Sequence, residues 1–148
     1  MYVLIIGTET ADHVAISVRS TDDSSADSRL ISDVNISVGA WLGKFEAWFC
    51  TRDFPRFREQ LEALHSTLDG NARFDTLEHQ LALEFTVDGR GHITVSGSAS
   101  DRPRPWSRGT GDGNDLTFSL ELDQSYLPAI INQLRAVEAA FPHNDPVV

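Results

Sequence analysis

Histidine, cysteine and carboxylate side chains are the groups here that could hold a metal or move a proton, and their spacing argues against both. The five histidines stand at positions 13, 65, 79, 92 and 143, and no two have the spacing that turns a helical pair toward one metal. Cys50 is the only cysteine, which excludes a thiolate cage and an internal disulfide. Asp12-His13 and Glu78-His79 are adjacent in sequence, but adjacent side chains on a strand point to opposite faces. Gly109-Thr110-Gly111-Asp112-Gly113 looks like a phosphate-cradling loop. It lacks the Lys and Ser/Thr that end a P-loop, and it leads into a strand where a helix N-terminus is required. Asp112 would also repel phosphate. The run Val95-Ser96-Gly97-Ser98-Ala99-Ser100 is not a nucleophile elbow, which needs a glycine two residues either side of the serine and a helix after it. No catalytic residue, metal or cofactor is assigned.

What remains is recognition chemistry. Glu46, Glu84 and Glu121 fall on the polar phase of their strands, and Trp48 shares that phase with Glu46 while Phe45, Ala47 and Phe49 take the apolar one. An open sheet face gives no desolvation to raise a carboxyl pKa, so these glutamates are not read as acid–base catalysts. A large aromatic on such a face suits the anchor of an interface, and carboxylates around it would steer a basic partner. Glu46, Trp48, Glu84 and Glu121 are therefore the candidate partner-binding residues, expected on one exposed face. The alternative for Trp48 is that the N-terminal strands or a neighbouring loop cover it. Arg102-Pro103-Arg104-Pro105-Trp106-Ser107-Arg108 is a basic stretch in an acidic chain. It reads either as a contact arm using Arg104 and Trp106, or as an insertion whose arginines balance local carboxylates.

The elements that position these residues follow from periodicity. Phe54, Phe57, Leu61, Leu64 and Leu68 recur at helical spacing, with Thr51 or Asp53 as N-cap and Asp69-Gly70-Asn71 as the stop. A second helix opens at Asp123 or Ser125, admits Pro128 in its first turn, buries Leu127, Ile130, Ile131, Leu134, Val137 and Phe141, and ends at Pro142. Leu81, Leu83, Phe85 and Val87 alternate with polar neighbours, as do Leu116, Phe118, Leu120 and Leu122, and also Val34, Ile36 and Val38. Residues 2–7 and 13–18 add two strands, and a turn at 88–91 joins two others into a hairpin, with a second hairpin turn at 39–43. Short connections imply antiparallel pairing. The expected architecture is one α+β domain over residues 1–148, with a mostly antiparallel sheet of about six to eight strands and two helices packed on one face. Residues 20–29 and 99–114, rich in Ser, Asp, Gly, Pro and Arg, are expected to be mobile loops.

Three stretches together resemble the WapI-like family of small bacterial immunity proteins. These are Trp41-Leu42-Gly43 with the helix Asp53-Phe54 … Phe57 … Leu61 … Leu64 … Leu68-Asp69-Gly70, then Asp88-Gly89-Arg90-Gly91-His92-Ile93-Thr94-Val95, then Leu120-Glu121-Leu122-Asp123-Gln124-Ser125-Tyr126-Leu127-Pro128. They span about the last two-thirds of the chain and are mostly turn, cap and core positions. The resemblance implies a non-enzymatic protein that neutralises a cognate polymorphic toxin by binding it. It transfers no binding residue to a numbered position.

Composition sets the bounds on that reading. With 148 residues the chain can bury a full core, and no apolar run reaches the length of a membrane helix. Neither export nor membrane insertion is indicated, so the cytoplasm is the expected compartment. Twenty-two carboxylates against 12 Lys and Arg give a net charge of −10, which repels a phosphate backbone and favours a basic protein partner. Besides immunity, the residues leave open an uncharacterised protein-interaction module, and a small-ligand binder or enzyme with a site under the 99–114 loop.

Overall fold

A computed structural model of the protein describes residues 2–22, 29–103 and 113–143. Four strands come first: β1 (Tyr2–Gly7), β2 (His13–Asp22), β3 (Arg29–Val38) and β4 (Trp41–Cys50). Helix α1 (Asp53–Thr67) follows, then β5 (Asn71–Phe74), β6 (Leu81–Val87), β7 (His92–Ser100) and β8 (Asp115–Asp123). A 3-10 turn over Gln124–Tyr126 leads into α2 (Leu127–Ala140). The eight strands form two antiparallel meanders, β1-β2-β3-β4 and β5-β6-β7-β8. The α+β class, the antiparallel pairing and the two helices agree with the sequence, while the strands are divided between two sheets.

One core serves both sheets. The inward residues of β1 to β4, among them Leu4, Ile16, Val34 and Phe49, lie in the same buried cluster as Leu83, Phe85, Val95 and Leu120 from the second sheet. The apolar stripes of both helices enter it, and all ten core residues named by strand and helix phase are buried: Phe54, Phe57, Leu61, Leu64, Leu83, Phe85, Phe118, Leu120, Ile131 and Leu134. Five phenylalanines tie the parts together. Phe74 on β5 packs against Phe49 at 5.4 Å, Phe54 at 5.7 Å and Phe57 at 5.3 Å between ring centroids, and Phe57 reaches Phe85 at 5.4 Å. Short β5 was not marked by alternation, since four residues carry only two apolar positions, yet it supplies the hub. On the core side of the second sheet, Gly97 pairs with Phe118, and a Cβ at Gly97 would stand 2.2 Å from that ring.

Local details depart from the expected caps. Neither Thr51 nor Asp53 caps α1: the N-cap position is Arg52, without a side-chain cap bond. Thr51 instead hydrogen-bonds His143 through its hydroxyl, at 2.9 Å from Nδ1. Asp53, already helical, accepts the Cys50 N–H at 2.7 Å and so fixes the exit from β4. The helix is stopped by Leu68, which itself turns left-handed at φ 51°, before Gly70 at φ 89°. The hairpin turn after β3 is tighter than expected, because Trp41, Leu42 and Gly43 are already strand. Of the loops expected to move, residues 23–28 and 104–112 lie outside the described residues. β2 and β3 extend to Asp22 and from Arg29, and Asp101 closes the other loop at its base by accepting the Asn114 N–H at 2.8 Å.

Two outcomes follow from this packing. Truncating Phe74 to Ala should cost about 3–5 kcal/mol in urea denaturation, the range for a buried aromatic, and a loss under about 1 kcal/mol would mean that its ring does not join the sheets. Asp53 is 5% exposed, and burial pushes its carboxyl up to about 6, against the opposing pull of the Cys50 N–H and of Arg52 and Arg56. A carboxyl raised in the folded state binds its proton there first, so Asp53 gains stability as pH falls through about 6 and loses it as pH rises. The wild type should therefore gain about 1 kcal/mol relative to Asp53→Asn between pH 7 and pH 5 in parallel denaturant titrations. Parallel curves for the two proteins would remove the buried carboxyl from the account.

Candidate interaction surface

The outward residues of the two sheets are distinct surfaces. On the first sheet, Arg19 reaches across from β2 to Asp33 at 2.9 Å and Glu46 at 2.5 Å. Bonds from Arg19 and then from the Trp48 indole hold the Glu46 carboxyl below the usual range. The Trp48 ring lies beside Glu46, with its Nε1 donating to Glu46 Oε1 at 3.3 Å, and the Arg29 guanidinium sits 5.3 Å from its centroid. Arg29 also meets Glu78 at 3.6 Å. Trp48 is thus half-buried under a neighbouring arginine, not presented openly.

Glu84 and Glu121 lie on the second sheet. Glu84 on β6 pairs with Arg73 on β5 at 3.1 Å, and Glu121 on β8 lies 3.4 Å from His92 Nε2. Their surroundings on that face are small and polar, with Ser96 between Glu84 and Ser119, and Thr94 opposite Glu121. The four residues expected on one face are therefore split two and two. Strand phase fixes which side of a sheet a residue occupies, but α1 starts a new sheet between Trp48 and Glu84. Arg104 and Trp106 lie outside the described residues.

The sharpest feature was missed by strand phase. Trp41 and Leu42 at the start of β4 are 68% and 82% exposed, against an otherwise alternating strand. They border a groove of about 300 Å³ whose floor includes Ile36, Phe45 and Leu116 and whose far side carries Asp101, Asn114 and Asp115. The Asp101 carboxyl is held below the usual range by the Asn114 backbone and side-chain amides. The signal in the sequence was Trp-Leu side by side after Gly39-Ala40, where a turn calls for polar residues and a half-buried strand for alternation.

β4 is an edge strand, and its outer backbone is treated unequally along its length. Cys50 donates to Asp53, and Trp48 donates to Gln80 Oε1 at 3.1 Å while Gln80 Nε2 donates to the Glu46 carbonyl at 2.9 Å. Gln80 is buried, delivered there by a turn in which His79 is left-handed at φ 54° and donates to the Thr76 carbonyl at 3.2 Å. Among the described residues no group of three or more His, Cys, Asp or Glu is placed to hold a metal.

Comparison with curated proteins gives no match. Among solved structures, the Trypanosoma brucei MRP1/MRP2 crystal structures share the fold, with a TM-score of 0.51 and 10% identity over 95% of this chain and 85% of that one. A chain of the CdiA-CT/CdiI toxin and immunity complex from Enterobacter cloacae aligns at a TM-score of 0.43 and 9% identity, over 82% of this chain and 97% of that one. A family match spans residues 5–142, nearly the whole chain, and the protein belongs to the WapI-like immunity protein family.

Proposed function

We propose that this protein neutralises a cognate toxin domain by binding it directly, as a stoichiometric blocker with no chemistry of its own, and that it does so in the cytoplasm. Family membership supports the immunity role. The observation that carries direct binding is the pair Trp41 and Leu42, two large apolar side chains held out by a strand that is firmly paired on its other edge. Solvent exposure of such a pair costs solubility unless a partner covers it, and tryptophan is the strongest single anchor type in protein interfaces. A net charge of −10 suits a basic toxin domain. Steering acts through the summed field, so Glu46 on one sheet and Glu84 and Glu121 on the other all contribute to it without sharing a face. Trp48, flanked by Arg29 and Glu46, stands farther along β4 from the exposed pair.

The gene should lie directly downstream of a large toxin gene, whose C-terminal domain is the probe. Calorimetric titration should give a one-to-one complex. Trp41→Ala should weaken it by about 2 kcal/mol with the melting temperature nearly unchanged, as for an exposed anchor. Charge reversal at Glu84 or Glu121 should slow association in stopped flow, most at low salt. Absence of binding by the wild-type protein, or growth arrest of cells that co-express both proteins, would end the immunity reading.

A further inference from the structure

We infer that the toxin domain is bound by strand addition, an extended segment of it pairing with the free edge of β4 from Leu42 to Glu46. This rests on the immunity reading above and specifies its contact. In an antiparallel ladder, alternate residues of an edge strand turn both backbone groups outward. The bonds from Cys50 and Trp48 and to Glu46 identify the even-numbered positions of β4 as the outward ones. The pairing of β3 with β4 runs without a register shift, so Leu42 and Lys44 continue that phase. Among the described residues, nothing pairs with the N–H and C=O of Leu42, the N–H and C=O of Lys44, or the Glu46 N–H.

On β1 and β5, two of the other edges, side-chain amides bond part of the outer backbone. Gln133 accepts the Ile5 N–H on β1 at 2.7 Å, and Gln60 both accepts the Arg73 N–H at 3.0 Å and donates to its carbonyl at 3.3 Å on β5. Gln80 does the same for half of β4 and stops at Glu46. On β4 the stretch without such a bond among the described residues carries Trp41 and Leu42 and borders the groove with Asp101 and Asp115. An open edge beside exposed apolar side chains is the recognition mode in which backbone bonds give affinity and neighbouring pockets give specificity.

A second copy of this chain is a poor occupant. Antiparallel self-pairing centred on Lys44 would set that lysine against itself, and it would bring together two bodies of charge −10. A basic segment meets Glu46 and the groove's carboxylates instead.

Proline at position 44 tests the backbone without the fold. The Lys44 N–H points away from β3, so Lys44→Pro removes an outward donor and keeps the ladder, which is where edge strands tolerate proline. Lys44→Ala removes the charge and keeps the donor. With the neighbouring toxin domain as probe, Lys44→Pro should bind about tenfold or more weakly and Lys44→Ala within about threefold of wild type, both with unchanged melting temperature. Equal binding by Lys44→Pro and wild type overturns strand addition and leaves immunity standing. Equal losses in the two variants also overturn it, in favour of a side-chain contact. A wild-type dimer that Lys44→Pro converts to monomer assigns the edge to a second copy. No binding by wild type ends both the strand addition and the function on which it rests.

Discussion

Everything in this molecule depends on a ring contact that spans a gap in the sequence. Phe49 ends the first meander, Phe54 and Phe57 open α1, and Phe74 and Phe85 begin the second meander. Their rings lie 5.3 to 6.0 Å apart in tilted and edge-to-face arrangements. Each contributes burial, and the pair geometry adds about 0.5–1.5 kcal/mol per contact beyond area. Two four-stranded sheets that share no ladder are thereby joined through a helix and a short strand. The cluster also sets the orientation of β4, because Phe49 faces inward, so Trp48 and Glu46 must face out.

Splitting eight strands into two sheets creates four edges where one sheet would leave two, and the fold must manage them. Glutamine does this three times. Its amide offers a donor and an acceptor on one short stem, which mimics one residue of a neighbouring strand. Gln133 on α2, Gln60 on α1 and Gln80 before β6 each come from an element that also packs on the core, so edge protection and core packing reinforce each other. The edge strand β8 reaches β1 and β3 of the other sheet, which shelters part of it.

Periodicity made the elements and the core legible, because it records which face of a segment is buried. The alternation at Leu81–Val87 and the helical spacing from Phe54 to Leu64 were sufficient for that. It does not record what the face is buried against, so it could not divide the strands between sheets or separate Glu46 from Glu84. Caps were illegible for a related reason. Thr51 and Asp53 each have a side chain able to cap α1, but a distant partner, His143, took the first and the Cys50 N–H just before the helix took the second. Trp41 and Leu42 were hidden by their place beside a turn: a two-residue turn at Gly39-Ala40 left them at the exposed start of a strand whose later residues are buried.

The charges argue for the same end of the molecule. Among the described residues five arginines pair with carboxylates: Arg19 with Asp33 and Glu46, Arg29 with Glu78, Arg58 with Glu62 and Glu138, Arg73 with Glu84, and Arg135 with Glu62. Exposed pairs of this kind add little to stability. What they do is fix where cationic charge resides, on the flat sheet faces and between the helices. Lys44, the one lysine of the chain, stands on β4 beside the open edge, opposite Asn35 and without a carboxylate partner among the described residues. A cation there is poorly matched to a copy of itself, so its side chain guards the edge against self-association while its backbone stays open to a partner strand.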